Sequence, residues 1–215
     1  MQILNAIHVG PASKGQPKQL VVLCHGLGAD GHDLIDLGAA WQHACPDAIF
    51  VAVDAPFPHE SGFGRQWWAV GDRSPLYTET GIRTAAPYLD AFIDAELKRL
   101  GLPEDAYAIM GFSQGAMMAL FVGLRRKVAP RAILAFSGAL IAPDSLKNEI
   151  ANHAPVLLMH GEADDVVPAS RSRDAEAVLN ELGVPVSAFY VPRLGHGIDE
   201  GGLSLGALAL QKGFS

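Results

Sequence analysis

The chain has 215 residues, of which 49% are hydrophobic, and carries 16 basic against 23 acidic side chains, for a formal net charge of −7. That length and apolar content are enough for one domain with a sizeable core, and the acidic balance, with its lysines and arginines scattered along the chain, argues against nucleic acid as a partner. Two cysteines, Cys24 and Cys45, exclude a disulfide framework; no stretch reads as a secretory leader or as a membrane span, so we expect a cytoplasmic protein without stable membrane insertion.

In chain order, short apolar runs at Leu20–Cys24, Ala48–Val53, Tyr107–Met110, Ala132–Phe136, Val156–Met159 and Val186–Val191 predict strands. Between them, helices are expected at about Asp33–Ala44, Gly81–Leu100, Gln114–Arg125, Ala169–Leu182 and Gly202–Lys212. Strands that are apolar throughout, separated by helices, indicate a mostly parallel sheet covered on both faces, which is the α/β class. The whole of 1–215 is read as one such domain. In Gly81–Leu100 the residues Ile82, Ala85, Leu89, Phe92, Ile93 and Leu97 recur at helical spacing and form a face for the sheet. Gly101 and Gly183 each follow a last helical leucine, where a left-handed cap favours glycine. The segment 54–80, rich in proline, glycine and aromatic residues, is expected to be a long, packed loop.

Two Gly-x-Ser-x-Gly strings occur. Gly202-Leu203-Ser204-Leu205-Gly206 follows no strand and reads as a helix start. Gly111-Phe112-Ser113-Gln114-Gly115 instead follows the strand Tyr107–Met110 and precedes the apolar helix from Ala116. Strand, sharp turn and buried helix are the setting in which a serine is held strained and projecting above a sheet, so Ser113 is the candidate nucleophile. The strand Val156–Met159 leads into His160-Gly161-Glu162-Ala163-Asp164-Asp165, where Asp164 is the choice for the orienting carboxylate and Asp165 is read as a turn or helix-capping residue. The sequence leaves an exchange of these two neighbours open.

Of eight histidines, His196 alone follows Asp164. It stands in Gly195-His196-Gly197, and the flanking glycines are expected to let the loop bend the imidazole over Ser113. His25, His32, His59 and His160 lack the spacing of zinc ligands, so no metal site is expected. His25-Gly26-Leu27-Gly28-Ala29-Asp30 closes an earlier strand with a glycine-rich bend, and the main-chain N–H groups of Leu27 and Gln114 are the candidates for an oxyanion hole.

The order serine, acid, histidine is that of the α/β hydrolases. In that order, the four strings around His25, Ser113, Asp164 and His196 resemble the phospholipase/carboxylesterase family, from about Leu20 to the C-terminus. The resemblance implies an α/β-hydrolase fold without a large separate lid and the triad Ser113, Asp164 and His196. It also implies cofactor-free hydrolysis of carboxylic or thio esters, and it is compatible with a homodimer. One departure stands out: the family commonly carries Trp-Phe-Asp or Trp-Tyr-Asp in the long loop, whereas this chain reads Trp67-Trp68-Ala69.

The expected activity is that of a serine carboxylesterase acting on small ester substrates with short to medium acyl chains, through an acyl-enzyme on Ser113. Acyl-protein thioesterase or lysophospholipase activity is the alternative. Phe63, Trp67, Trp68, Leu76 and Val166, at the strand ends, are the candidates for substrate binding. A non-catalytic relative that merely binds an acyl ligand is the alternative of another class. Such relatives usually lose a member of the triad, and this chain carries all three.

Overall fold

The computed structural model describes residues 4–72 and 74–215. Its elements, in chain order, are β1 (Ala6–Val9), β2 (Gln19–Cys24), α1 (Gly31–Trp41), β3 (Ala48–Val53), β4 (Phe57–Pro58), β5 (Arg65–Gln66), α2 (Pro75–Leu100) and β6 (Tyr107–Phe112). There follow α3 (Gln114–Arg125), β7 (Ile133–Phe136), α4 (Pro143–Glu149), β8 (Val156–Gly161), α5 (Ser170–Glu181), β9 (Val186–Val191) and α6 (Glu200–Phe214).

Seven strands form one sheet in the order β1-β3-β2-β6-β7-β8-β9, in which β1 is antiparallel to β3 and every other pairing is parallel. Side chains alternate across a strand, so the two faces of each apolar run bury different residues. Val22, Cys24, Val51, Val53 and Ile109 pack with Ile82, Leu89, Ile93 and Leu120 of α2 and α3 and with Leu179 of α5. Val21, Leu23, Phe50, Met110 and Met159 pack on the opposite side, with Leu34 and Trp41 of α1 and Leu210 of α6. This two-sided burial is why the strands carry no polar alternation. Among the described residues no separate lid domain covers the sheet, and no helix is long and apolar enough to cross a membrane.

Besides the short β4–β5 hairpin, three features go beyond the expectation. β1 is a half-buried edge strand of four residues, too short to show a pattern, and α4 has only seven residues. The third is the first turn and a half of α2, which begins at Pro75, six residues ahead of the predicted start. Pro75 had read as a loop former, but its fixed φ and missing N–H suit the first helical position, and the Ser74 hydroxyl accepts from Tyr77 N–H to cap the helix. The long loop is correspondingly shorter, and it contains the β4–β5 hairpin.

Candidate active site

Ser113 lies between the end of β6 and the first residue of α3, with φ 54° and ψ −118°, a backbone conformation that a residue with a Cβ rarely adopts. The turn is tight because β6 and α3 nearly touch. A Cβ on Gly115 would stand 1.9 Å from the Cys24 carbonyl oxygen, and one on Gly111 would stand 2.1 Å from the Gly115 oxygen. Glycine is therefore required at both positions, and the strain at Ser113 is held by its neighbours: Ser113 N–H donates to the Phe136 carbonyl, while Ala116 and Met117 N–H both donate to the Ser113 carbonyl. The nucleophile candidate thus sits at the positive end of a 12-residue helix.

Asp164 follows β8, and its side chain is fully buried. Oδ1 accepts from the N–H groups of Val166 and Val167 at 2.9 Å each, and Oδ2 accepts from His196 Nδ1–H at 2.7 Å. Burial alone would raise the Asp164 pKa, but the His196 hydrogen bond and the two backbone donors outweigh it and hold the carboxyl below its ordinary value. It is ionised at neutral pH. Because a carboxylate only accepts, the proton of His196 is on Nδ1 and Nε2 is left as the base. The ring packs against Phe112, the residue before Ser113, with centroids 4.8 Å apart. No hydrogen bond joins Ser113 Oγ to the imidazole among the described residues, as is common in hydrolases without substrate, where that contact tightens on binding.

The two loops that carry Asp164 and His196 are laced together. Glu162 N–H donates to the Val191 carbonyl and Ala163 N–H to the Leu194 carbonyl. Gly161 makes room for this, since a Cβ there would lie 2.2 Å from the Leu194 oxygen. The loop does bend at His196 and Gly197, but without a left-handed glycine. Neither Gly195 nor Gly197 has a positive φ and each faces open space, whereas Arg193 takes φ 63°. Asp165 is exposed within the bend and caps no helix, because α5 starts after Ala169 with no side-chain cap.

At the oxyanion side, Gly28 N–H donates to Arg65 and Ala29 N–H to Gly26, while Leu27 N–H and Gln114 N–H are engaged by no acceptor among the described residues. His25, fully buried, shapes this bend. Its Nδ1–H donates to the Gly26 carbonyl at 2.6 Å and its Nε2 accepts from Ala55 N–H at 3.0 Å. Burial depresses its pKa and both nitrogens are committed, so it is a neutral scaffold residue.

The candidates for substrate binding divide. Phe63, Leu76 and Val166 are exposed, at 84%, 76% and 58%, as is Leu27. Trp67 is instead fully enclosed, and Trp68 is 93% buried, so neither forms an open apolar wall. Trp67 Nε1–H donates to the His25 carbonyl, its N–H donates to Gln114 Oε1, and Gln114 Nε2 donates to the Trp68 carbonyl. These bonds hold the loop without an aspartate at position 69. Trp68 does line a cavity of about 220 Å³, with Phe57, Ala69, Tyr77 and Thr80.

One group near the site was not singled out by sequence reasoning. His160, also fully buried, lies 3.2 Å from Asp164 Oδ2 through Nε2. The available signal was a histidine at the end of an otherwise apolar strand, four residues before the acid. Among the described residues no three His, Cys, Asp or Glu side chains converge as metal ligands would.

The family model described as Phospholipase/Carboxylesterase matches residues 7–207. The chain is 30% identical over 194 residues to acyl-protein thioesterase 1 of Neurospora crassa, covering 82% of this chain and 79% of that one. It is 29% identical over 183 residues to esterase YpfH of Escherichia coli, covering 85% and 77%. Among solved structures it resembles esterase PE8 at 42% identity, with a TM-score of 0.92 and coverage of 97% and 98%. It also resembles acyl-protein thioesterase 2 of Zea mays at 25% identity, with a TM-score of 0.80 and coverage of 98% and 99%.

Proposed function

Starting from the fact that this chain belongs to the phospholipase/carboxylesterase family and is a carboxylic-ester hydrolase, we propose that Ser113, His196 and Asp164 carry the reaction, in the roles of nucleophile, base and orienting acid. The observation that carries this reading is the 2.7 Å bond from His196 Nδ1–H to the buried Asp164, which leaves Nε2 free as a base on a ring that packs against Phe112, the residue before the strained serine. His196 Nε2 takes the proton of Ser113 as Oγ bonds to the ester carbonyl carbon. The oxygen that becomes negative is met by Leu27 and Gln114 N–H, each donor worth about 2.7–4 kcal/mol in the transition state. His196 then passes its proton to the departing alcohol or thiol as that bond breaks. Water attacks the acyl-enzyme, losing its proton to His196, and the acid leaves as Ser113 regains a proton.

Exposed Leu27, Phe63, Leu76 and Val166 offer apolar contact for an acyl chain in an uncovered site. This supports short to medium chains in a small ester substrate. The name of the Neurospora crassa relative supports a second reading, in which the leaving group is a thiol. A cytoplasmic location and a homodimer belong to the same reading of the family.

A fluorophosphonate probe followed by peptide mapping tests the mechanism. Labelling at Ser113 alone, abolished in Ser113→Ala and in unfolded protein, is the expected result; labelling elsewhere, or full turnover by Ser113→Ala, overturns it. Rates on matched p-nitrophenyl esters and acyl thioesters of increasing length then decide chain length and leaving group.

A further inference from the structure

We propose that His160 is a positioning residue for ester hydrolysis, holding the Asp164 carboxylate in the orientation from which it receives His196 Nδ1–H. This rests on the reading of Asp164 as the orienting acid and adds a residue to it. A carboxylate has about four acceptor sites. In Asp164 three are met by hydrogen bonds, from Val166 N–H and Val167 N–H on Oδ1 and from His196 Nδ1–H on Oδ2, and His160 Nε2 is in contact with Oδ2 at 3.2 Å. The three donors lie in loops: two belong to the same turn as Asp164 and move with it, and His196 is the group to be oriented. His160 alone stands on a strand of the main sheet, near the end of β8.

The tautomer of His160 follows from its partners. Nε2 lies 2.7 Å from the Val167 carbonyl oxygen, which can only accept, so the proton is on Nε2 and is donated to that oxygen, with Asp164 Oδ2 in contact beside it at 3.2 Å. Nδ1 then accepts from the hydroxyl of Ser172 on α5 at 2.7 Å. Ser172 is itself 98% buried, and both side chains of the His160–Asp164 pair are fully enclosed. The ring is therefore fixed at both nitrogens, from the helix on one side and to the acid-bearing turn on the other. A carboxylate free to rotate would present Oδ2 to His196 only part of the time, and substrate contacts would not change. The loss would fall on kcat.

The test is steady-state kinetics of His160→Leu and His160→Gln, each made in the parent chain and in Asp164→Asn. In the parent chain His160→Leu should lower kcat about tenfold, the rate equivalent of the one hydrogen bond that ties the acid-bearing turn to β8 at the Val167 carbonyl, with KM within about twofold. His160→Gln, whose amide can donate from nearly the same place, should recover most of that loss. In Asp164→Asn, His160→Leu should cost nothing further. An undiminished kcat in His160→Leu, an equal loss in His160→Gln, or the same loss repeated in Asp164→Asn would overturn the proposal. Full activity of Asp164→Asn alone would overturn the reading of Asp164, and the proposal with it, a distinguishable result. Should His160→Leu fail to fold, Ser172→Ala carries the test: a smaller fall in kcat that vanishes in Asp164→Asn supports the proposal, and a fall that persists there overturns it.

Discussion

Gln114 holds Trp67 from the position next to Ser113, the proposed nucleophile: its Oε1 accepts from Trp67 N–H at 2.8 Å, and its Nε2 donates to the following carbonyl, that of Trp68, at 2.9 Å. The main-chain N–H of the same Gln114 is free to face a developing oxyanion. One residue thus joins the packed loop after β5 to the turn that bears Ser113, and the loop needs no carboxylate of its own.

Gln114→Ala would leave Trp67 N–H and the Trp68 carbonyl buried without partners, at about 1–3 kcal/mol each. We expect urea unfolding to show a loss of about 2–4 kcal/mol, together with slower fluorophosphonate labelling of Ser113. Unchanged stability would mean that the loop is anchored by the β4–β5 hairpin and the Trp67 indole alone.

Asp164→Asn and Asp165→Asn should separate cleanly. The first keeps an acceptor for Val166 and Val167 but can force the wrong His196 tautomer, and it is expected to lower kcat by about 10⁴, as in other serine triads. The second alters an exposed side chain and should leave kcat within about twofold. A larger loss at Asp165 in p-nitrophenyl ester assays would reverse the assignment.

Two glycine substitutions near the site should differ sharply. Gly115→Ala drives a Cβ into the Cys24 carbonyl at 1.9 Å, which only a shift of α3 against β2 can relieve. We expect a loss of more than about 3 kcal/mol or no folded protein. Gly195→Ala meets open space at an ordinary φ and should cost less than about 0.5–1 kcal/mol, with thermal unfolding as the readout.

The depressed pKa of Asp164 has a consequence for stability against pH. A carboxyl whose folded pKa lies below its unfolded value, about 3.9, stabilises the fold fully above that value and progressively less as pH falls through the folded one. Unfolding free energies of the parent chain and Asp164→Asn should therefore differ most near neutral pH, with the parent more stable. The gap should close below about pH 4. A gap independent of pH would assign it to packing or to the amide, not to charge.

The sequence was sufficient for six of the seven strands of the main sheet, for five of the six helices and for the order in which Ser113, Asp164 and His196 arrive, because these rest on local signals. Apolar runs report burial on both faces, and the glycines around Ser113 report a backbone approach too close for a Cβ, as the 1.9 Å and 2.1 Å separations show. Pro75 misled because the same fixed φ serves both a turn and a helix start. Gly195 and Gly197 flank a loop that does bend, yet neither has a positive φ or a close neighbour that demands a glycine.

Which aspartate receives the imidazole, that Trp67 faces inward, and that His160 leans on Asp164 were decided only in three dimensions. The first two depend on hydrogen bonds between segments far apart in the chain, the 32 residues from Asp164 to His196 and the 47 from Trp67 to Gln114, and the third on the bond to Ser172 of α5 that fixes the His160 ring. A residue type announces what it can donate or accept, but only the packed fold sets which partner lies within 3 Å and whether water is excluded there.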